Sequence, residues 1–281
     1  MAGSLCFNSL NNSLVIKKFD EKMNKTIKQI FSKSKKIADA LLSEKNYKYF
    51  FKQDNTVVSS VDLLLQEEVI KIIIVYYPKH NILFEEGDNK HIDNGSLYTW
   101  VIDPIDGTSN FINGKIEFSV SIGLMLKNKF IAAMVYFPKI SECYIAVKND
   151  GVYLNNELIK IDRIRESTPK VIILCSKTYK QNKKQFEENG YKVEYYYCAT
   201  FSMLKVLKNE AILFCTVNTQ IYDVGPMSYI LEQSGIDSYD RSVKKISYNP
   251  NLNTIGYIVS SNDKNTTFEF NEKLILIKDE S

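Results

Sequence analysis

The chain has 281 residues, 44% of them hydrophobic, which is enough apolar matter for one large core or two intimate ones. Its formal net charge is only +3, from 36 basic and 33 acidic residues interspersed along the chain, so composition offers no basic face for nucleic acid. With two histidines in all, His80 and His91, a zinc hydrolase built on several imidazoles is excluded and any metal centre must rely on oxygen.

Residues 1–15 show no apolar period and read as an irregular N-terminal extension. From Ile16 onward, Phe19, Met23, Ile27, Ile30, Ile37 and Leu41 recur at helical spacing with lysines and glutamates between them, which predicts a long amphipathic helix. An extended connection over 55–60 leads to a second helix over 61–76, closed by Pro78. Asp62 lies in its opening turn, where a carboxylate is favourable whatever else it does. A short apolar strand over 81–84 then ends in Glu85 and Glu86, and acidic pairs of this kind are common on surfaces.

The densest chemistry follows. Trp100-Val101-Ile102 predicts a buried strand that runs into Asp103-Pro104-Ile105-Asp106-Gly107-Thr108. Pro104 has no N–H for a sheet ladder, so the strand is expected to stop at Asp103. The turn would let the Ile105 carbonyl face the same side as the two carboxylates. Gly107 would clear room for a close anion, and Thr108 would cap the helical turn that follows. Oxygen ligands on one side and free N–H groups on the other suit Mg²⁺ and phosphate, although Asp-Pro and Asp-Gly also mark ordinary turns.

Downstream, apolar and β-branched runs over 118–126, 130–137 and 142–147 predict an antiparallel meander. Strands over 171–175, 191–197 and 211–217, alternating with helices over 177–189 and 201–208, predict an α/β arrangement. Asp223 opens a helix running to Gln233, where it is a good N-cap in its own right, and a last strand over 256–262 precedes a short charged tail. The chain thus divides into an N-terminal α+β half over 16–162 and a C-terminal α/β half over 163–281. Five widely spaced cysteines, Cys6, Cys143, Cys175, Cys198 and Cys215, imply a reduced, cytoplasmic protein. The most apolar segment, Val69 to Tyr77, is interrupted by Lys71 and falls far short of the roughly 20 residues of a bilayer span, and residues 1–14 lack the pattern of a signal peptide.

The string from Trp100 to Thr108, followed by Asn110-Phe111, closely resembles the signature of the inositol monophosphatase family of Mg²⁺-dependent, lithium-sensitive phosphatases. The strand ending in Glu85-Glu86, the segments Val57 to Asp62 and Ile221 to Gly225, and the turn from Gly151 to Asn156 are similar to further family segments, so the resemblance covers nearly the whole chain beyond the extension. It implies a layered αβαβα sandwich of the inositol monophosphatase and fructose bisphosphatase type, assembled as a homodimer, and charge and hydropathy add the expectation of no nucleic-acid or membrane partner. It also implies that Glu85, Asp103, the Ile105 carbonyl, Asp106 and Asp223 hold two or three Mg²⁺ ions, with Glu86 in an outer position. Thr108, oriented by Asp62, would act with Glu85 on the attacking water. Gly107 and Thr108 would hold phosphate oxygens, and Lys52 would lie near the phosphate.

Ser109-Asn110-Phe111 resembles the inositol and sugar phosphatase branch, which favours a monophosphate such as inositol monophosphate. The substrate side diverges. Thr216 stands where that branch has a glutamate, Cys198-Ala199-Thr200 replaces a glycine-serine-alanine stretch, and Gly225-Pro226-Met227 replaces alanine-alanine-glycine. Fructose bisphosphate, histidinol phosphate and 3'-phosphonucleotides therefore stay open. So does another class, a non-catalytic metal-binding regulatory protein acting through a macromolecular partner.

Overall fold

The computed structural model describes residues 4–43, 47–52, 56–87, 90–160, 169–250, 253–261 and 263–274. Neither Pro nor Gly occurs between Ser4 and Leu42, and helix α1 spans that entire stretch (Ser4–Leu42). The segment expected to be irregular is therefore helical from Ser4, because extending a nucleated helix through a run without breakers costs little per residue. A hairpin of β1 (Tyr49–Phe51) and β2 (Val57–Ser59) leads into α2 (Ser60–Tyr76). Ser59 caps α2: its hydroxyl accepts from the N–H groups of Val61 and Asp62, and the Asp62 carboxylate accepts the Ser59 N–H in return.

The first sheet is built from β3 (Asn81–Phe84), β4 (His91–Ile92), β5 (Tyr98–Asp106), then, after the short α3 (Thr108–Ile112), β6 (Ser119–Leu126), β7 (Lys129–Phe137), β8 (Glu142–Val147), β9 (Gly151–Leu154) and β10 (Glu157–Ile159). Its eight strands run in the order β10-β9-β8-β7-β6-β5-β3-β4, and only β3 and β5 pair in parallel. The second half contributes β11 (Val171–Leu174), α4 (Ser176–Glu188), β12 (Lys192–Glu194), α5 (Ala199–Leu207), β13 (Leu213–Gln220), α6 (Ile221–Gln233), β14 (Asp237–Tyr239), β15 (Thr254–Ser261) and α7 (Lys264–Lys273). Its five strands run β12-β11-β13-β15-β14.

Alternating side chains sort the first sheet into two faces. Ile82, Trp100, Ile102, Ile122 and Leu124 pack with Ile27, Ile30 and Phe31 of α1 and Leu65, Val69 and Ile73 of α2. Leu83, Val101, Ala133, Val135 and Phe137 pack on the other side with α5 and α6, through Phe201, Leu204, Val224, Met227 and Ile230. The inner face of the second sheet, including Ile173, Phe214 and Ile258, closes on those same two helices. Its outer face carries α4 and α7, whose Phe186 and Phe270 rings stack at 5.1 Å. The layers therefore read α, β, α, β, α, with α5 and α6 buried in the middle.

Several boundaries differ from expectation. Helix α5 begins at Ala199, two residues early, β12 is only three residues long, and much of the expected charged tail is α7. The half-way boundary at 162/163 and the Cys6 side chain lie outside the described residues. The four described cysteines, Cys143, Cys175, Cys198 and Cys215, are free thiols. Among the described residues, no helix is long and apolar enough to cross a membrane. The departure at Gly225-Pro226-Met227 has a packing cause: a Cβ at Gly225 would lie 2.6 Å from two ring carbons of Phe130, so that ring has taken the room.

Candidate active site

Parallel pairing sets the first two carboxylates together. Phe84 pairs with Ile102, so Glu85 leaves β3 next to Asp103 on β5. Asp103 follows Val101 by two and so belongs to the face covered by α5 and α6. Strand β5 does not stop there as expected. It continues to Asp106 through a register shift, with Asp103 opposite Ser121 and Asp106 opposite Ser119. Pro104 and Ile105 thus oppose a single residue of β6, a bulge in which a missing N–H is harmless. Ile105 buries its side chain in the α1/α2 core, and Asp106 turns toward α5.

Asp106 is held by the opening of α5. Its Oδ2 accepts the Thr200 N–H at 2.7 Å, the Thr200 hydroxyl at 2.6 Å and the Cys198 thiol at 3.1 Å, while Oδ1 accepts only the Ala199 N–H at 3.3 Å. The Ser119 hydroxyl lies 2.6 Å from that of Thr200. Asp223 is not the N-cap of α6: Gln220 occupies that position, and Asp223, three residues on, accepts the Gln220 N–H and the Thr219 hydroxyl, each at 2.9 Å. Thr216 is buried in β13 opposite Ile258, and Thr219 is the threonine of that strand that reaches a site carboxylate.

Thr108 does not cap α3. Gly107 is the N-cap, with φ of 86°, and Thr108 is the first helical residue. The Thr108 hydroxyl instead sits 3.0 Å from Asp62 Oδ1 and 2.9 Å from the Ile105 carbonyl, which is thus already facing a donor. Asp62 Oδ2 accepts both the N–H and the hydroxyl of Ser59. Gly107 is needed for protein contacts whatever else it serves, since a Cβ there would lie 2.9 Å from the Glu117 carbonyl oxygen and 3.1 Å from the Cys198 Cβ. Lys52 reaches back to the paired acids, its Nζ 2.7 Å from Glu86 and 3.4 Å from Glu85. Gln66 of α2 clamps the Glu86 backbone with two 2.9 Å bonds, to its N–H and to its carbonyl.

Burial governs the charges. Asp103 is 1% exposed, and among the described residues no N–H or hydroxyl donor reaches either of its carboxylate oxygens, whose hydrogen-bonding neighbour is the Glu85 carboxyl. Desolvation first, and then the Glu85, Asp106 and Asp223 carboxyls, hold its pKa well above the usual range. Desolvation, with Glu85 and Asp106, pushes Asp223 up to about 8. Burial raises Glu85 despite Lys52, and raises Asp106 despite the Thr200 donors. Asp62 is pushed up to about 6 by burial, against the Ser59 hydrogen bonds.

Among the described residues, no group of three or more His, Cys, Asp or Glu side chains forms a ready cation cage, since Asp106 and Asp223 are turned onto hydroxyl and N–H donors. The donor set nevertheless fits a hard divalent ion. It is all oxygen, its central member Asp103 has two buried oxygens without donors, and a cation would offset the mutual repulsion. Gln66 and Thr219, which hold acids in place, went unremarked in the sequence, and Ser59 and Thr200 stood only as members of compared segments with no role of their own. Single hydroxyl and amide residues carry no spacing signal of their own.

The model of the inositol monophosphatase family matches residues 15–274. An inositol monophosphatase of Dictyostelium discoideum is 37% identical over 116 residues, 41% of this chain and 43% of that protein. A protein of Aquifex aeolicus named fructose-1,6-bisphosphatase/inositol-1-monophosphatase is 36% identical over 135 residues, 48% of this chain and 47% of that protein. The matched stretch thus spans less than half the length of these curated relatives. The crystal structure of extragenic suppressor protein suhB from Bartonella henselae superposes with a TM-score of 0.75, covering 92% of this chain and 100% of that one; at 20% identity this is a likeness of fold.

Proposed function

The chain belongs to the inositol monophosphatase family, and on that premise we propose that it is a Mg²⁺-dependent phosphatase of a small phosphate monoester, in the first place inositol monophosphate or a similar polyol or sugar phosphate. The observation that carries this reading is the buried Asp103, which no N–H or hydroxyl donor reaches, beside Asp106 of its own strand and the carboxylates Glu85 and Asp223 delivered by two other segments. Glu85, Asp103, the Ile105 carbonyl, Asp106 and Asp223 would hold Mg²⁺, which when bound supplies positive charge for the phosphate oxygens and lowers the pKa of water. Glu86, salt-bridged to Lys52, would remain outside that set.

The protein's own part is orientation and proton handling. When the single O–H of Thr108 points to Asp62, a lone pair of its oxygen can take a proton from the attacking water as its own proton passes to the Asp62 carboxylate. Asp62, its pKa pushed up to about 6 by burial, is the carboxylate next along that path and can exchange a proton near neutrality. Glu85 would align the water from the other side. The N–H groups of Gly107 and Thr108 would hold phosphate oxygens in line while the ester P–O bond breaks, and the leaving alkoxide takes its proton from solvent. No covalent phosphoenzyme is needed. Lys52, Ala199 and Thr216 would bear on the substrate side, and the working form would be a lithium-sensitive, cytoplasmic homodimer.

The test is phosphate release from inositol monophosphate, fructose 1,6-bisphosphate, histidinol phosphate and a 3'-phosphonucleotide, with Mg²⁺, with chelator and with Li⁺. Metal-dependent turnover of the inositol ester, lost in Asp106→Asn while the protein stays folded, is expected. The name of the Aquifex aeolicus relative makes fructose bisphosphate the second choice. Silence across the panel with Mg²⁺ bound would turn the reading toward a non-catalytic, partner-binding role.

A further inference from the structure

The loop of Cys198, Ala199 and Thr200 supports one of the acids. Asp106 Oδ2 takes three donors, two from Thr200 and one from Cys198, while Oδ1 has a single long contact to the Ala199 N–H. The hydroxyl chain has one consistent direction. A Thr200 hydroxyl that donates to Asp106 must accept from Ser119, 2.6 Å behind it, and Thr200 and Ser119 are both buried. A hydroxyl of α5 thus reaches one carboxylate oxygen with a hydroxyl of β6 directly behind it.

We infer that Thr200, backed by Ser119, is a positioning residue that occupies Asp106 Oδ2 and thereby leaves Oδ1 as the oxygen that faces the cation. The inference rests on the Mg²⁺-dependent reading above. A neutral hydroxyl bonded to a carboxylate also spreads its charge and fixes its plane, and outer partners of this kind change metal affinity by roughly 10- to 100-fold when removed. Nothing here requires Thr200 to touch substrate.

Thr200→Val keeps the shape and the backbone N–H and removes only the hydroxyl, Thr200→Ser keeps the hydroxyl, and Ser119→Ala removes the backing. Mg²⁺ titrated into each protein by calorimetry, without substrate, reads affinity directly, and circular dichroism with thermal melting in chelator reads the fold. The expected pattern is an affinity loss of about 10-fold in Thr200→Val, a smaller loss in Ser119→Ala and recovery in Thr200→Ser. A hydroxyl that serves packing alone would shift the melt and leave Mg²⁺ affinity where it was. A Thr200→Val protein binding Mg²⁺ within twofold of wild type overturns the assignment and leaves the phosphatase reading standing. Wild-type protein that takes up no Mg²⁺ at all overturns both. Should Thr200→Val fail to fold, a Thr200→Ser protein with weakened Mg²⁺ binding would overturn the assignment by itself.

Discussion

Asp103→Asn should make the metal-free protein more stable, and Mg²⁺ should narrow that advantage. Asp103 is buried, lacks donors and stands among Glu85, Asp106 and Asp223, so without a cation the folded state keeps a proton on this cluster. The sign follows from linkage: an acid with a raised folded pKa contributes no penalty below its unfolded pKa of about 3.9, and the folded state loses stability as pH rises through the interval up to the folded value. Holding one proton at pH 7 costs at most about 4 kcal/mol, from roughly 1.36 kcal/mol per pH unit above that reference, and about 1.5 kcal/mol at pH 5. The proton belongs to the coupled group, so the figure is a ceiling for the cluster. Asparagine needs no proton, and its amide can donate to Glu85. Urea denaturation in chelator at pH 5, 6 and 7 should show the Asp103→Asn advantage widening with pH. At a Mg²⁺ concentration of about 100 Kd, wild type should regain about 2.7 kcal/mol that the variant does not. An Asp103→Asn protein no more stable than wild type in chelator at pH 7 would refute the reasoning.

Two further outcomes are expected. His80 lies between the rings of Tyr77 and Tyr98, at 4.4 and 4.7 Å, accepts the Trp100 indole N–H on Nδ1 at 3.2 Å, and has its pKa pushed down to about 4 by burial. Stability present above its unfolded pKa of about 6.5 is lost as pH falls toward 4, by about 1–2 kcal/mol after allowing for its part-exposed ring, so wild-type and His80→Gln denaturation midpoints should converge or cross over that window, and parallel pH curves would count against it. Gly225→Ala drives a methyl into the Phe130 ring and should cost about 1–3 kcal/mol in thermal melts, most of it recovered by adding Phe130→Leu; a neutral Gly225→Ala would mean that the ring has somewhere else to go.

Much of the fold could be read before any coordinates because period and chemistry agreed. The apolar stripe from Ile27 to Leu41 and the β-branched runs of β6, β7 and β8 are long enough for one pattern to prevail. Short elements failed for the same reason: Tyr195, Tyr196 and Tyr197 look like strand, yet β12 ends at Glu194 and the chain turns into α5. The acids of the site were visible as residue types at motif spacing, and the partners that orient them were not. Gln66 finds Glu86 twenty positions away and Thr200 finds Asp106 ninety-four positions away, distances over which local pattern is silent. Pro104 and Gly107 show a subtler limit. Pro104 was expected to end the strand and sits instead in a bulge, which leaves the same mark on sequence, and the backbone contact that requires Gly107 leaves the same mark as an open anion site.

The bulge at Pro104 also settles a question of parity. In an unbroken strand, residues three apart point to opposite faces, so a regular β5 would carry Asp103 toward α6 and Asp106 into the layer of Trp100 and Ile102. That mispaired arrangement uses the same sequence, and one more ladder bond would favour it. Proline cannot supply that bond. Pro104 therefore acts less on the energy of the native strand than on that of its nearest rival, and the second aspartate owes its place to an alternative that the chain is forbidden to adopt.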